Sequence, residues 1–492
     1  MHRFHRFFAW SQSGRLTVVL IAVHVLMLLA VLLMPHAPSA DEPTYVALAE
    51  SMDLGTFSVW ADRYDPAPVD THRTHGYPAF VWLLRKFSTR VTFIFIAQAL
   101  MHFATLLLVL RYLSTQTKGT FKSNVFLMAM LPQLQLLHYV GQVFPEVLMS
   151  LLCTAIALSY TVRGTGLKEI ALRVVLLALA FWVRPVMLLF PLFVLVADLL
   201  VARGAERWSS LRAHSFTLVA MAMLGPVPFA YWNHVHHGVW KPVPLSGSAV
   251  ISNMGIWQLR LPGYGTMHYF QHSMFGREFI PWVGDSAAAV FYGRYQDQWR
   301  RIDAKADPYR SVEDVEQVPL MMADPQRFAA RSPGYTIALD RAIAEENRAM
   351  IKAEPFYYLA TRLYTAVRLW VTNINLPMER IIYKPTPGSS PQVGRPQGLV
   401  AWAKLLVPFA ITFISFGTGL TFLFISVMRH RKLWVARRYL LYMILYVWLV
   451  HIPMVIQSRY TVPVHVLAIL CIALALSDRY KPAEEAAALT TH

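Results

Sequence analysis

The sequence predicts an all-α polytopic membrane protein, and three observations support this prediction. Of the 492 residues, 56% are hydrophobic and only 15% are charged. Apolar runs such as "LTVVLIAVHVLMLLAVLLM", residues 16–34, are as long as the roughly 20 residues that a helix needs to cross a bilayer. Short basic segments separate these runs. The apolar runs lack the short alternating pattern of β-barrel strands. We therefore expect helices, in which all backbone groups are paired inside the lipid.

About ten runs are predicted to span the membrane. They cover residues 16–34, 91–110, 124–138, 145–162, 170–183, 185–200, 215–232, 401–427, 439–456 and 461–477. The fifth and sixth runs are short for a hydrocarbon layer of about 30 Å. We therefore expect them to form a hairpin that does not cross straight, with "FWVRPVML" at its tip.

Basic residues mark every second short loop, which fixes the expected orientation. The basic groups are Arg3, Arg6 and Arg15; Arg111, Lys118 and Lys122; Arg163, Lys168 and Arg173; Arg203, Arg207 and Arg212; Arg429, Arg431, Lys432, Arg437 and Arg438; and Arg479 with Lys481. By the positive-inside rule, both termini lie in the cytoplasm and the protein resides in the cytoplasmic (inner) membrane. The net charge of +17 then reflects topology and not nucleic-acid binding. The first run is expected to be a retained helix and not a cleaved signal peptide.

The chain is expected to divide into three regions. Residues 1–240 form an N-terminal transmembrane core, whose first outer loop spans 35–90. Residues 241–400 form a large, mainly helical extracytoplasmic loop region with interfacial helices, and residues 401–492 form C-terminal transmembrane helices with a short cytoplasmic tail. Cys153 and Cys471 lie inside apolar runs and are expected to be packing residues.

Polar residues gather at the outer ends of the predicted spans. They are Asp41, Glu42, His138, Glu146, Arg184, the "HVHH" histidines 234, 236 and 237, Arg459 and Tyr460. Each has a structural explanation as well. Glu42 before Pro43 is a plausible N-cap with Asp41 beside it, and Glu146 beside Pro145 could complement a helix dipole. Arg184 and Arg459 could be interfacial arginines.

The histidine cluster also raises the possibility of a metal site. His234 and His237 are three residues apart on a predicted helix and could face one ion. No Cys or Asp lies nearby to complete such a site, so ordinary surface histidines are the favoured interpretation. A divalent ion recruited by the carboxylates through a substrate's phosphate remains an alternative, and no other cofactor is indicated.

Five segments, taken in order, resemble a known superfamily. They are "ADEPTYVALAESMDLGTFS" (40–58), "HGYPAFVWLL" (75–84), "FPEVLMSLL" (144–152), "WVRPVMLLFPL" (182–192) and "QSRYTVPVHVLAI" (457–469). Together they resemble the GT-C glycosyltransferases of the protein-mannosyltransferase-like, lipid A aminoarabinose transferase-like superfamily. The resemblance covers roughly residues 15–230 and 335–477. It implies a polytopic enzyme that takes a sugar from a polyprenyl-phosphate carrier and transfers it at the extracytoplasmic (periplasmic) face.

The resemblance assigns expected roles to the polar residues. Asp41 would be the general base that deprotonates the acceptor, with Glu42 orienting it, and transfer would invert the anomeric carbon. Arg184 and Arg459 would hold the donor phosphate, because a guanidinium offers phosphate oxygens a planar fork of donors. The expected cavity residues are Glu146, His138, Tyr460, Tyr45, Arg63, Arg73 and His75.

A transporter, a glycan ligase and a membrane scaffold are the alternatives to a glycosyltransferase. A transporter or flippase for a lipid-linked substrate should carry charges near the middle of its spans or two related halves, and neither is evident. A ligase that transfers a longer glycan from a pyrophosphate carrier and a non-catalytic membrane scaffold are further alternatives. The expected partners are the donor lipid, membrane lipids and a cell-envelope acceptor, whether glycolipid, polysaccharide or protein. The sequence names neither the sugar nor the acceptor.

Overall fold

The computed structural model describes residues 13–34, 36, 41–62, 66–116, 120–162, 166–201, 205–257, 297–309, 333–370, 417–454 and 458–478. Within these ranges the regular secondary structure is entirely helical, as predicted. The helices are α1 (Gly14–Leu33), α2 (Glu42–Ser51), α3 (Gly76–Arg85), α4 (Val91–Gln116), α5 (Phe121–Met130), α6 (Leu134–Val140), α7 (Glu146–Val162), α8 (Leu167–Val183), α9 (Phe190–Val201), α10 (Ala205–Leu224), α11 (Pro226–His237), α12 (Ser248–Trp257), α13 (297–306), α14 (Pro333–Ala353), α15 (Pro355–Arg368), α16 (Gly417–Arg429), α17 (Arg431–Ala436), α18 (Arg438–His451) and α19 (Val462–Asp478).

The chain is a multi-pass membrane protein. Among the described residues, three helical stretches are long and apolar enough to cross a membrane: Gly14–Leu33, Val91–Thr115 and Trp208–His237. Shorter apolar helices accompany them at Glu146–Thr161, Pro185–Val201, Gly417–Arg429, Arg438–His451 and Val462–Ser477. The total of about ten spans stays a prediction.

The core of the bundle is built around α7 and α19. From Val462 to Ala475, α19 is buried on every side, as expected of a helix that is apolar all round and surrounded by other helices. It packs against α5, α7 and α18, while α7 also packs against α4 and α8. Cys153 on α7 and Cys471 on α19 are free and buried, which confirms their role as packing residues.

Prolines break two of the predicted spans. The run at 124–138 is not one helix, because α5 ends at Met130 and α6 begins only after Pro132. The run at 215–232 continues in both directions and changes helix at Gly225, where α10 gives way to α11. Pro228 has no N–H to donate to the carbonyl of Leu224, and the indole N–H of Trp182 donates to it instead at 3.0 Å.

Residues 170–200, predicted to form a hairpin, fold as a helix, a short turn and a second helix. α8 ends at Val183, Arg184 is extended, and a 3₁₀ turn at Pro185–Leu189 leads into α9. At the far end of this hairpin, Asp198 accepts hydrogen bonds from His214, Arg438 and Tyr439. This buried carboxylate ties α9, α10 and α18 together at the end of the bundle opposite Arg184.

The segment after α11 forms a small helical layer over the Arg184 end of the bundle. Residues of α12, α13 and α14 share a separate hydrophobic cluster. Asp340 on α14 accepts from the backbone N–H groups of Gly247 and Ala249 and so caps the start of α12. The N–H groups of Leu245 and Ser246 donate to the carbonyl of Thr71, which joins this layer to the first outer loop.

Candidate functional site

The candidate site lies where several helices end at one side of the bundle. Asp41 immediately precedes α2, Glu146 begins α7, Arg184 follows α8, and Arg459 lies in the 3₁₀ turn Ser458–Tyr460 before α19. Arg73 approaches from the first outer loop, just before α3. Two carboxylates and three guanidinium groups, far apart in the sequence, therefore meet at one end of the core.

Asp41 occupies the N-cap position of α2, yet its side chain caps nothing. Glu42 is the first helical residue, so the expectation that Glu42 is the N-cap is wrong by one position. Pro43 near the start of the helix has no N–H and needs no cap there. The Asp41 carboxylate is thus free to point away from the helix, toward the arginines.

Both oxygens of Asp41 are bound by arginine. Nη2 of Arg73 donates to Oδ1 at 3.1 Å, and Nη1 of Arg459 donates to Oδ2 at 3.1 Å. The three side chains are between 25% and 32% exposed, so these two contacts are partly exposed and not sealed in the core.

The surroundings of Asp41 favour its ionised form. Burial opposes ionisation, but the guanidinium groups of Arg459 and Arg73 outweigh it and hold the pKa of Asp41 below its ordinary value. Tyr45 and Asp41 in turn raise the pKa of Arg73. Asp41 is therefore a paired carboxylate in the ligand-free protein and a weaker proton acceptor than an isolated one.

Arg73 is held in place by two devices. Oδ1 of Asp70 accepts from the backbone N–H groups of His72 and Arg73 at 2.8 Å each, which fixes the turn that presents the arginine. The guanidinium lies over the ring of Tyr45, 5.1 Å from its centroid, and Tyr45 packs edge-on against Tyr77. Tyr45, an expected cavity residue, is the platform for Arg73.

Arg459 is supported in the same way from the other side. Its guanidinium lies 5.3 Å from the ring centroid of Phe144 and 5.6 Å from that of Tyr460. Tyr460 is buried and stacks on His451 at 4.7 Å. Aromatic faces on both arginines keep the charged groups in position without neutralising them.

Glu146 and Arg184 form the second acid and arginine pair of the site. Nη2 of Arg184 donates to Oε1 of Glu146. The carboxylate is completely buried, and its other oxygen, Oε2, has no hydrogen-bond partner among the described residues. This pair is more enclosed than the Asp41 cluster, since the Arg184 side chain is only 16% exposed.

The first outer loop is docked directly on the end of α8. The hydroxyl of Thr74 donates to the carbonyl of Val183 at 3.4 Å. Gly76 lies so close that a Cβ there would come within 2.4 Å of the Trp182 carbonyl carbon and 2.6 Å of the Val183 nitrogen. This contact fixes Arg73 relative to Arg184, and only glycine permits it.

Of the remaining predicted residues, Glu42 and His75 have partners other than Asp41 and the three arginines. Oε1 of Glu42 is paired with Nε2 of His36 at 2.8 Å and does not contact Asp41. His138 is buried beside Tyr139. His75 does not join the cluster: its ring packs among Phe57, Trp182, Phe229 and Trp232, and burial lowers its pKa to about 4. Arg63 lies outside the described residues.

The metal interpretation of the histidine cluster gains no support. His234 stacks on Trp240, while the His236 and His237 rings are 6.4 Å apart. No group of three or more His, Cys, Asp or Glu side chains suited to a metal ion occurs in the part of the chain that the structure describes.

Sequence reasoning underrated three residues. Arg73 was expected only as a cavity residue, yet it binds Asp41 directly. Asp70 was not predicted, although the "DTHR" sequence is typical of an Asp side chain that closes a turn over the next residues. His36, the partner of Glu42, carried no recognisable signal.

Comparisons with known proteins gave two structural matches. The first is ArnT from Cupriavidus metallidurans in the apo state, with a TM-score of 0.37. The second is the same protein bound to undecaprenyl phosphate, with a TM-score of 0.38. In both cases the identity is 14%, and the alignment covers 94% of this chain and 77% of the other. No protein-family model and no curated protein matched.

Proposed function

We propose that this protein is an integral membrane glycosyltransferase that transfers a sugar from a polyprenyl-phosphate donor to an acceptor. The observation that carries the proposal is the cluster in which Asp41 is held between Arg73 and Arg459 at the end of an apolar helical bundle. An anionic lipid headgroup at the boundary of the membrane would meet guanidinium groups there, while its chain stayed among the apolar helices. In the proposed topology of about ten spans, this end faces the extracytoplasmic side.

The charge of the site suits a single phosphate. Asp41, Glu146, Arg73, Arg184 and Arg459 together carry a net formal charge of plus one. A sugar joined to a lipid through one phosphodiester carries one negative charge and would neutralise the site. A pyrophosphate carrier brings a second negative charge, which the net charge of plus one on these five residues does not match. This balance favours a monophosphate donor over the pyrophosphate-dependent ligase.

The chemistry that this arrangement can perform is an inverting single displacement. The acceptor hydroxyl attacks the anomeric carbon from the face opposite the phosphate, and Asp41 takes the hydroxyl proton as the new glycosidic bond forms. The bond between the anomeric carbon and the phosphate oxygen breaks, and the arginines stabilise the lipid phosphate dianion that leaves. The charge of the site is unchanged, because the proton gained by Asp41 matches the negative charge gained by the phosphate.

A transporter or flippase is the second candidate for a lipid-phosphate site. Such a protein needs polar groups along the path across the membrane. The buried or partly buried carboxylates that pair with arginine lie instead at the two ends of the bundle, with Asp41 and Glu146 on one side and Asp198 on the other. This distribution favours chemistry at one face.

The experiment that tests the proposal is sugar transfer by purified protein. Wild type and Asp41→Asn are incubated in parallel with a panel of radiolabelled polyprenyl-phosphate monosaccharides and cell-envelope acceptors, namely glycolipid, polysaccharide and protein fractions. We expect transfer from one donor by wild type and none by Asp41→Asn. Movement of labelled lipid between the leaflets of vesicles, without transfer from any donor, would instead establish the transporter.

A further inference from the structure

The contacts of Asp41 pose a problem for its proposed role as a base. Each carboxylate oxygen already accepts a hydrogen bond from a guanidinium, at 3.1 Å in both cases. A carboxylate bound in this way holds a proton poorly, because protonation would forfeit both charge-assisted hydrogen bonds. The same two guanidinium groups are well suited to the oxygens of a phosphate.

We propose that Asp41 occupies the donor's phosphate site in the ligand-free protein, and that the incoming phosphate takes over Arg73 and Arg459 and thereby frees Asp41 to act as the base. This inference rests on the proposed function and assigns Arg73, with Arg459, to phosphate binding. Arg184, expected from the sequence to bind phosphate, remains with Glu146 and supplies only a more distant positive charge.

The surroundings of the two arginines allow them to change partners without moving far. The Nε atoms of Arg73 and Arg459 are buried and have no hydrogen-bond partner among the described residues, so each guanidinium holds an unused donor. Tyr45 under Arg73 and Phe144 under Arg459 remain in contact whichever anion is bound. The turn closed by Asp70 holds the backbone of Arg73 in place.

The pair of Glu146 and Arg184 lacks these properties. Its carboxylate is fully buried, and Arg184 is half as exposed as Arg73. Exchange of a partner would leave a buried carboxylate unpaired, which is costly. Exchange is therefore expected at Asp41 and not at Glu146.

Other ionisable groups are adjacent to Asp41, interact with the arginines of the site, or lie beside a residue that does. They are Glu42 and Tyr45 on α2, Asp70 in the outer loop, His138 and Tyr139 on α6, Glu146 on α7, Arg184 after α8, His451 on α18 and Tyr460 before α19. Glu42 is adjacent to Asp41 in sequence but is paired with His36. It provides a control for the general effect of removing one negative charge.

Binding of a lipid phosphate without a sugar tests the exchange directly. The dissociation constant of geranylgeranyl phosphate is measured for wild type, Asp41→Asn and Glu42→Gln in the same detergent. If Asp41 competes with phosphate, Asp41→Asn binds about tenfold more tightly, since close charge pairs couple by more than the free energy of a tenfold change. Glu42→Gln is expected to change the constant by no more than about twofold. Equal or weaker binding by Asp41→Asn, or equal tightening in both variants, overturns the inference.

A second measurement needs no variant. Difference infrared spectra of the wild type labelled with ¹³C-aspartate, with and without geranylgeranyl phosphate, report the carboxylate stretch of residues that lose arginine partners. We expect a shifted aspartate band on binding, and an unshifted spectrum at saturation overturns the exchange even if Asp41→Asn fails to fold.

Failure of the exchange and failure of the proposed function give different results. Neither binding experiment contains a sugar or an acceptor. Sugar transfer without competition at Asp41 would leave the function standing and remove the exchange. Competition at Asp41 without transfer from any donor would leave the anion site and remove the glycosyltransferase.

Discussion

Gly76→Ala is the substitution that best tests how the first outer loop positions the site. An added Cβ would lie 2.4 Å from the Trp182 carbonyl carbon, 2.5 Å from its oxygen and 2.6 Å from the Val183 nitrogen. Ordinary contacts begin at 3.4 Å, so α3 must move away from the end of α8 by about 1 Å. The clashing atoms are backbone and cannot rotate aside.

The displacement moves Arg73, three residues before Gly76, relative to Asp41 and Arg459. A misplacement of about 1 Å can lower the rate of a positioned reaction about 100-fold. Overpacking of this kind also costs about 1–3 kcal/mol in the free energy of unfolding. We therefore expect Gly76→Ala to lower kcat for sugar transfer about 100-fold and to lower the thermal unfolding temperature modestly.

The assay is initial-rate transfer from the donor identified with wild type, together with thermal unfolding in detergent. Gly334→Ala on α14 is the matched control, because a Cβ at Gly334 meets no atom within 4 Å. This control should retain wild-type kcat and unfolding temperature. Gly76→Ala with the kcat of wild type would refute the reasoning that the close approach of α3 and α8 sets the site.

Three further predictions concern the charged residues. Arg184→Met should lower the free energy of unfolding, measured by chemical denaturation, by about 3–5 kcal/mol, because it leaves Glu146 buried and unpaired. The double variant with Glu146→Gln should recover most of that free energy and should not recover sugar transfer. Asp70→Ala should raise KM for the donor about tenfold by releasing the turn that carries Arg73, whereas Asp70→Asn keeps the accepting oxygen and should stay near wild type. The third prediction concerns pH. Arg459 and Arg73 outweigh burial and lower the pKa of Asp41 in the folded protein. The ionised carboxylate therefore stabilises the fold at pH values above the ordinary pKa of Asp, and this stabilisation is lost as the pH falls through the lowered pKa. The acid limb of the pH profile of kcat/KM should therefore lie below the ordinary pKa of Asp. The acid limb of kcat should lie at higher pH, because in the donor complex the phosphate binds the arginines and Asp41 no longer does. Acid limbs at the same pH would contradict the exchange.

The fold was predictable from the sequence for those helices that apolar length or apolar composition alone identifies. Apolar length identified α1 and α4, and continuous apolar character identified α19 as a core helix. The breaks were harder to predict. Pro132 lies between α5 and α6. A proline inside an apolar run can either kink a helix or end it, and tertiary packing decides between the two.

The candidate site was predictable in its composition and less so in its pairing. Asp41, Glu146, Arg184 and Arg459 were noticed as charged residues at the ends of apolar runs, and the family resemblance then gave them their expected roles. Nothing in their spacing shows that Arg459 binds Asp41 across 418 positions of sequence while Arg184 binds Glu146. His75 illustrates the opposite error, since a polar residue beside the site turned toward aromatic side chains of α8 and α11.

The Asp41 cluster and the Glu146–Arg184 pair differ in their partners and exposure, and these differences indicate different roles. Glu146 has one partner, no exposure and a position at the start of a central helix, so its charge organises the end of the bundle and holds Arg184. Asp41 has two partners on separate segments and a quarter of its side chain exposed. An anion can replace a carboxylate only where it reaches both hydrogen-bond donors of that carboxylate, and where the displaced carboxylate is then protonated or solvated. Among the described carboxylates of the site, Asp41 meets both conditions. Under the proposed exchange, Asp41 therefore becomes able to act as a base only once the donor is bound.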